Sequence, residues 1–119
     1  MSDELRLLVI DDDELQIELV ERALTRDGFT VRGATSLKEA ASLATSFDPQ
    51  QILVDVNMPG VPNDYVVTLM REVAPSARLV LYSAWEESKL RQLARALGAD
   101  GFVSKSVNVF DLGRRLRGL

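Results

Sequence analysis

Carboxylates, a hydroxyl and a lysine follow short apolar runs at four places in this chain of 119 residues. Asp11 and Asp12 come directly after the run LRLLVI, and Asp55 ends the run QILVD. Ser83 ends RLVLYS, and Lys105 ends GFVSK. Carboxylate oxygens bind hard cations such as Mg²⁺, while ammonium and hydroxyl groups donate hydrogen bonds to phosphoryl oxygens. These residue types predict Mg²⁺-assisted phosphoryl transfer in which a carboxylate acts as nucleophile.

A cluster of ionised aspartates carries an energetic cost, since like charges repel and burial would force one carboxylate to take up a proton. A hard cation removes that cost, because Mg²⁺ accepts carboxylate oxygens in octahedral geometry and keeps several of its waters. Its charge then stabilises negative charge that arrives on a phosphoryl group. Asp13 fits a simpler role as the N-cap of the first helix, where aspartate accepts hydrogen bonds from free backbone N–H groups.

Cysteine and histidine are both absent from the sequence. This excludes disulfides, thiol nucleophiles, serine–histidine triads and the usual zinc ligands, and the lack of cysteine fits a cytoplasmic protein. The net charge of −4 argues against direct nucleic-acid binding, which rests on a basic surface. No apolar stretch reaches about 18 residues and the start MSDELRL lacks the features of a secretory signal, so we expect no membrane segment.

The elements that must position these residues follow from the hydropathy pattern. Apolar runs alternate with helical patterns, which predicts strands at 5–10, 29–34, 51–55, 78–83 and 101–105, each followed by a helix. Strict alternation predicts an α/β fold, a doubly wound five-stranded parallel sheet with five helices on its two faces, in one domain over residues 1–119. Ligands of such sheets bind beyond the carboxyl ends of the strands, where the polar residues fall.

Four motifs, VIDDDE, ILVDVNMPG, LYSAW and GFVSK, resemble those of response-regulator receiver domains (the CheY-like domains of two-component signalling) in order and approximate spacing. The resemblance covers the chain from end to end. It implies a flavodoxin-like sheet with strand order 2-1-3-4-5. It also implies a signalling module that is controlled by phosphorylation and that changes its interaction surface.

The resemblance also assigns roles around the predicted metal. Asp55 would be the phosphoacceptor and a metal ligand. Asp12 would bind Mg²⁺ directly, and Asp11 would assist, often through water. The backbone carbonyl of Asn57 would complete the protein ligands of the metal.

Further roles concern the phosphoryl group and the response to it. The resemblance implies that Ser83 and Lys105 bind the phosphoryl group, and that Ser83 and Phe102 are candidate switch residues. Ordinary packing on the last strand is an alternative interpretation of Phe102. The donor would be a phosphohistidine on a histidine kinase or phosphotransfer protein, and a downstream effector would bind the altered surface. The face formed by helix 4, strand 5 and helix 5 would also support a weak homodimer.

Three positions depart from the family pattern or stand out beside it. Ser106 follows Lys105 where the family usually has a proline, commonly cis, and a non-proline cis bond costs ~2.5–4 kcal/mol, so we expect a rearranged trans loop or a strained one. The segment VPNDY replaces the family's Asp-Gly, and Asn63 is expected to cap the third helix. Trp85, the only tryptophan, lies either at the rim of the site or packed on helix 4.

Two other functions stay open on the sequence alone. One is a receiver-like interaction domain that works without phosphorylation. The other is a small Mg²⁺-dependent phosphohydrolase, for which a chain of this length without histidine offers little acid–base equipment. We expect a protein that is not an enzyme in the usual sense and that catalyses only transfer to its own aspartate and slow hydrolysis from it.

Overall fold

Residues 5–119 are described by the computed structural model, and they form five strands and five α-helices in strict alternation. The strands are β1 (Leu5–Ile10), β2 (Phe29–Ala34), β3 (Gln51–Asp55), β4 (Arg78–Ser83) and β5 (Gly101–Ser104). The helices are α1 (Glu14–Arg26), α2 (Leu37–Ser46), α3 (Asn63–Val73), α4 (Glu87–Leu97) and α5 (Leu112–Arg117). All strand pairs are parallel and the order is 2-1-3-4-5, which confirms the doubly wound fold. Within this described part, no helix has the length and apolar character needed to cross a membrane.

The sheet separates two apolar layers, because successive side chains of a strand point to opposite faces. Leu8 and Ile10 of β1 pack in the layer that contains α2, α3 and α4. Leu7 and Val9 pack in the other layer, with α1 and α5. Every residue of β3 is buried, as expected for a central parallel strand covered on both faces. Asp55, the last residue of β3, therefore lies in the middle of the carboxyl edge of the sheet.

Side-chain caps fix the starts of the first two helices. Asp13 accepts a hydrogen bond from the N–H of Leu15 at 2.9 Å, which confirms its prediction as the N-cap of α1. Ser36 Oγ accepts from the N–H of Glu39 at 3.2 Å. The Glu39 carboxylate accepts from the N–H of Thr35 at 2.9 Å, one residue before the Ser36 N–H that would be the donor in a standard capping box. Both starts were predictable, since they depend on contacts within four residues.

One sequence-based boundary near the C-terminal end of the described chain was wrong, and the last helix has an unpredicted form. β5 ends at Ser104, so Lys105 is the first residue after the strand, although its N–H still bonds to the carbonyl of Ser83 at 2.7 Å. The last helix begins with a 3₁₀ turn, Val109–Asp111, and becomes α-helical only at Leu112. The side chain of Asn108 accepts a hydrogen bond from the N–H of Phe110 and so closes this tighter turn.

The expected cap of α3 was also wrong. Asn63 is the first helical residue, and the N-cap is Pro62, which makes no side-chain cap hydrogen bond. The carbonyl of Pro62 accepts from the N–H of Val66 at 3.2 Å and so starts the helical ladder. Proline at this position fixes φ near its usual value, −65° here, and the helix follows without a polar cap.

Candidate functional site

Adjacent strands bring three carboxylates together at the carboxyl edge of the sheet. β1 pairs with β3, with Ile10 opposite Val54, so the residues that follow both strands are neighbours. Asp11, Asp12 and Asp55 each offer a carboxylate oxygen, and these oxygens all lie within 4.8 Å of one another. Asp55 thus joins Asp11 and Asp12, which lie 44 and 43 positions earlier in the sequence, in one acidic cluster at the predicted edge of the sheet.

The three carboxylates differ in their exposure. Asp11 is 1% exposed and Asp55 is 4% exposed, whereas Asp12 faces solvent. Burial raises the pKa of Asp11 above its usual 3.8, and the charge of Asp55 adds to this rise. The N–H of Asp13, 2.9 Å from Asp11 Oδ1, and the ammonium of Lys105 act in the opposite direction. Burial and the neighbouring charge of Asp55 therefore oppose the ionisation of Asp11.

One ammonium group serves both buried carboxylates. Lys105 Nζ lies 3.2 Å from Asp55 Oδ1 and 3.5 Å from Asp11 Oδ2. The side chain of Lys105 is 23% exposed, so its charge reaches the site while part of its stem is covered. The one positive charge of Lys105 is smaller than the combined charge of three ionised carboxylates, so the ionised cluster stays negatively charged.

The two oxygens of Asp55 have different surroundings. Both hydrogen bonds that it accepts within residues 5–119 end on Oδ1, one from Lys105 Nζ and one from the backbone N–H of Asn57 at 3.2 Å. Asp55 Oδ2 accepts no hydrogen bond from these residues. Every buried side-chain oxygen in this part of the chain has a hydrogen-bond partner, so Oδ2 is not fully buried and retains access to solvent. The carboxylate is therefore held by one oxygen and open at the other.

Ser83 connects the fourth strand to the loop after Asp55. Its side chain is fully buried, and its Oγ accepts a hydrogen bond from the N–H of Trp85 at 3.0 Å. Asn57 Nδ2 lies 3.5 Å from the same oxygen. The hydroxyl is thus fixed between the loop after β3 and the loop after β4, beside the acidic cluster.

The peptide bond that follows Lys105 is trans, as are all those in residues 5–119. The N–H of Ser106 donates to Ser104 Oγ at 3.1 Å, and the two hydroxyl oxygens lie 2.7 Å apart. A proline at this position has no N–H to donate. The bonds between Ser104 and Ser106 therefore close the turn after β5. A proline at position 106 could form neither the backbone bond nor the hydroxyl bond.

Phe102 lies on β5, and Trp85 lies in the loop between β4 and α4. Phe102 is half-buried against the layer of α4, and the guanidinium of Arg91 lies 5.4 Å from its ring centroid. Trp85 is 39% exposed, so its indole is not part of the core. These positions are compatible with the switch role and the rim role, which stay predictions.

Tyr82 and Gln16 belong to the site, although the sequence reasoning missed them. Tyr82 is 3% exposed, and Lys105 Nζ lies 5.2 Å from its ring centroid. Gln16 Nε2 on α1 donates to the Tyr82 hydroxyl at 3.5 Å. Burial raises the pKa of Tyr82, and the charge of Asp11 adds to the effect. The available signal was an aromatic residue directly before Ser83, with its side chain on the opposite face of the sheet.

The donor set fits a hard divalent cation. The clustered ligand atoms are carboxylate oxygens, one of the three carboxylates is open to solvent, and their combined negative charge exceeds what one lysine supplies. Mg²⁺ prefers oxygen ligands of this kind and uses one or two carboxylates together with water or phosphate. Asp11, Asp12 and Asp55 would hold the ion.

A five-stranded, doubly wound parallel sheet with an acidic cluster at its carboxyl edge defines a flavodoxin-like α/β domain. Residues 7–117 match the model of the response regulator receiver domain, and the chain belongs to this family of two-component signalling modules. Receiver domains act as signalling modules rather than as enzymes in the usual sense.

Individual relatives agree with this assignment. The chain is 32% identical over 114 residues to the transcriptional regulatory protein PrrA of Mycobacterium tuberculosis, covering 96% of this chain and 49% of that protein. It is 29% identical to the response regulator MprA of Mycolicibacterium vanbaalenii, with the same coverage of both chains. The chain spans about half the length of the curated relatives it matches.

Solved structures share the fold. The chemotaxis response regulator CheY4 of Vibrio cholerae superposes with a TM-score of 0.84 at 24% identity, over 97% of this chain and 98% of that one. A response regulator protein from Burkholderia pseudomallei gives a TM-score of 0.78 at 25% identity, over 96% of this chain and 71% of that one. The crystal structure of the Burkholderia protein contains a phosphorylated aspartic acid, a calcium ion and citrate.

Proposed function

We propose that this receiver domain accepts a phosphoryl group on Asp55 in a Mg²⁺-dependent reaction and thereby changes its interaction surface. The donor is a phosphohistidine of a partner histidine kinase or phosphotransfer protein, and the domain comprises residues 1–119 and acts in the cytoplasm. The observation that carries the proposal is the buried Asp55 carboxylate, 3.2 Å from Lys105 Nζ and within 4.8 Å of two further carboxylates.

The accessible oxygen of Asp55 is the nucleophile. Oδ2 attacks the phosphorus atom, a phosphorus–oxygen bond forms, and the bond from phosphorus to the imidazole nitrogen of the donor breaks. The electron pair of that bond leaves with the nitrogen, which takes up a proton. Lys105 donates to one phosphoryl oxygen and Ser83 to another, so both stabilise the charge that develops there.

The acidic residues prepare the site for this anion. Asp11 and Asp12, with Asp55 and the backbone carbonyl of Asn57, are the proposed ligands of the metal. Mg²⁺ bound there supplies positive charge that neutralises the carboxylates and the transferred phosphoryl oxygens. In the Burkholderia protein a phosphorylated aspartic acid and a divalent cation occur in one crystal structure, which supports the same combination here.

The response begins at Ser83, whose hydroxyl already contacts both loops of the site. We infer that Ser83 moves toward the phosphoryl group and that Phe102 turns inward as it does so. The face formed by α4, β5 and α5 then binds an effector, or a second copy of the chain in a weak homodimer. Arg91 lies on this face, with its guanidinium above the Phe102 ring, so an inward turn of Phe102 would break this contact.

Intact-mass measurement after incubation with acetyl phosphate and Mg²⁺ tests the assignment of Asp55. The wild type should gain one phosphoryl adduct, Asp55→Asn should gain none, and Asp64→Asn, which removes an exposed aspartate on α3, should behave as the wild type does. An adduct of full strength on Asp55→Asn contradicts the assignment. If neither acetyl phosphate nor a phosphorylated kinase modifies the wild type, the phosphorylation-independent interaction domain is favoured. Continuous turnover of a phosphate ester favours the phosphohydrolase.

A further inference from the structure

The ammonium of Lys105 has to be held in place before the phosphoryl group arrives. The lysine side chain has a flexible four-carbon stem, and fixing it costs conformational entropy. Lys105 lies just after β5, and the residue that follows it is Ser106 rather than the proline usual in the family. Its backbone is anchored by the bond to the Ser83 carbonyl at 2.7 Å, but that bond leaves the side chain free to rotate.

A buried aromatic ring lies beneath this side chain. Lys105 Nζ is 5.2 Å from the centroid of the Tyr82 ring, within the range of about 6 Å over which the face of an aromatic ring attracts a cation. Tyr82 is 3% exposed and belongs to the apolar layer with α1 and α5. The ring cannot easily move, because β4 carries it and the core surrounds it.

The ring attracts the ammonium without occupying an N–H donor that the reaction needs. Lysine has three donors, and two of them point to Asp11 and Asp55. A third acidic neighbour would hold the last donor as well, whereas the face of a ring attracts the charge as a whole. One N–H of Lys105 therefore stays available for a phosphoryl oxygen.

We propose that Tyr82 is a positioning residue that holds the Lys105 ammonium against Asp55 through the face of its ring. The inference rests on the proposed function, because it names what fixes the phosphoryl-binding lysine. Gln16 assists by binding the Tyr82 hydroxyl at 3.5 Å, a long contact that orients the ring only weakly. We therefore expect the ring to account for the positioning and the hydroxyl to be dispensable.

Proton NMR of the unphosphorylated protein tests the contact directly. The ring current of Tyr82 should shift the ε-methylene protons of Lys105 upfield from those of Lys38 and Lys89, which are the other lysines of the sequence and are exposed. Tyr82→Phe should keep the upfield shift and Tyr82→Leu should abolish it. A Lys105 signal that coincides with the other lysines in the wild type overturns the proposal, whether or not any variant folds.

The rate of phosphorylation by acetyl phosphate tests the consequence. Tyr82→Leu should slow the modification of Asp55 about fivefold, which corresponds to about 1 kcal/mol, while Tyr82→Phe should restore the rate to within about twofold of the wild type. Tyr65→Leu, which removes an exposed tyrosine on α3, is the matched control and should leave the rate unchanged. Tyr82→Val replaces the leucine variant if the latter does not fold.

A double-mutant cycle separates positioning from a general structural effect. In a Lys105→Met background, Tyr82→Leu should cause no further loss of rate, because the ring then has no cation to hold. An equal fivefold loss in both backgrounds overturns the proposal, as does a wild-type rate in Tyr82→Leu. Failure of the proposed function is distinct from both results, since it appears as the absence of an Asp55 adduct in the wild type.

Discussion

At the scale of single residues, the site is governed by the balance between two buried carboxylates and one lysine. Asp11 is almost completely buried, and burial raises its pKa against the opposing effects of the Asp13 N–H and Lys105. A carboxyl group whose pKa is raised by folding binds its proton more tightly in the native state than in the unfolded state. Ionising Asp11 therefore costs stability, and the loss grows as pH rises from about 3.8 through the raised pKa.

We predict that Asp11→Asn stabilises the metal-free protein, because asparagine can keep the bond to the Asp13 N–H without carrying the charge. The difference in free energy of unfolding between variant and wild type should increase from pH 4 to neutrality and reach ~1 kcal/mol. Urea unfolding in the presence of a chelator at several pH values measures it. The control Asp64→Asn should give a flat difference, and a flat difference for Asp11→Asn would show that the aspartate ionises without penalty.

At the scale of elements, the position of α1 depends on a close approach to β2. A Cβ added to Gly33 of β2 would overlap Cγ2 of Ile17 on α1. Ile17 is branched at Cβ and has few alternative rotamers in a helix, so it cannot easily make room. The same helix carries the Asp13 cap and Gln16, and the absence of a side chain at Gly33 therefore helps to set the distance between α1 and the site.

The Gly33→Ala variant should lose 1–3 kcal/mol of stability, the usual cost of an overpacked contact between well-ordered elements, as measured by urea unfolding. Gly118→Ala provides the comparison, because a Cβ there would meet only two backbone carbonyls at 3.6 Å, which is ordinary van der Waals contact. Equal stabilities for the two variants would mean that α1 shifts outward at no cost.

The loop between β4 and α4 gives a second prediction at this scale. Trp85 is 39% exposed and its N–H binds Ser83 Oγ, so closure of Ser83 on a phosphoryl group should either break this bond or move the tryptophan backbone. Beryllofluoride, which mimics the phosphoryl group on Asp55, should therefore change the tryptophan emission. If the indole also limits access of water, Trp85→Ala should lose phosphate faster. An unaltered spectrum together with an unaltered rate of loss assigns Trp85 to a purely structural role.

At the scale of the whole molecule, four strand ends meet at one edge of the sheet, and a ligand bound there stabilises the entire fold. We predict that Mg²⁺ raises the thermal midpoint and that Asp12→Ala abolishes the increase. A ligand at a hundredfold excess over its Kd adds ~2.7 kcal/mol to the free energy of unfolding. Glu14→Ala, which removes an exposed acid of the first turn of α1, should retain the Mg²⁺ response. An unchanged response in Asp12→Ala means that this carboxylate is only a charged residue before a helix.

The sequence predicted what depends on hydropathy and on local hydrogen bonds. The limits of β1 to β4 agree with the apolar runs, and the Asp13 cap follows from residue type. The sequence did not predict that the last helix starts as a 3₁₀ turn, because the competing geometries differ by one hydrogen bond. Nor did it predict the role of Tyr82, since the Tyr82–Lys105 contact arises from the pairing of β4 with β5 and has no local signature.

The ion pair between Lys105 and Asp11 joins residues that lie 94 positions apart. A chain that emerges from the ribosome exposes the carboxylates of β1 and β3 long before β5 has been synthesised. Pairing of distant parallel strands is slow, and it is completed only when the last strand docks. The lysine proposed to stabilise the incoming charge is therefore the last residue of the site to be synthesised. We therefore expect an unfinished chain, which lacks this lysine, to accept a phosphoryl group more slowly than the folded domain does.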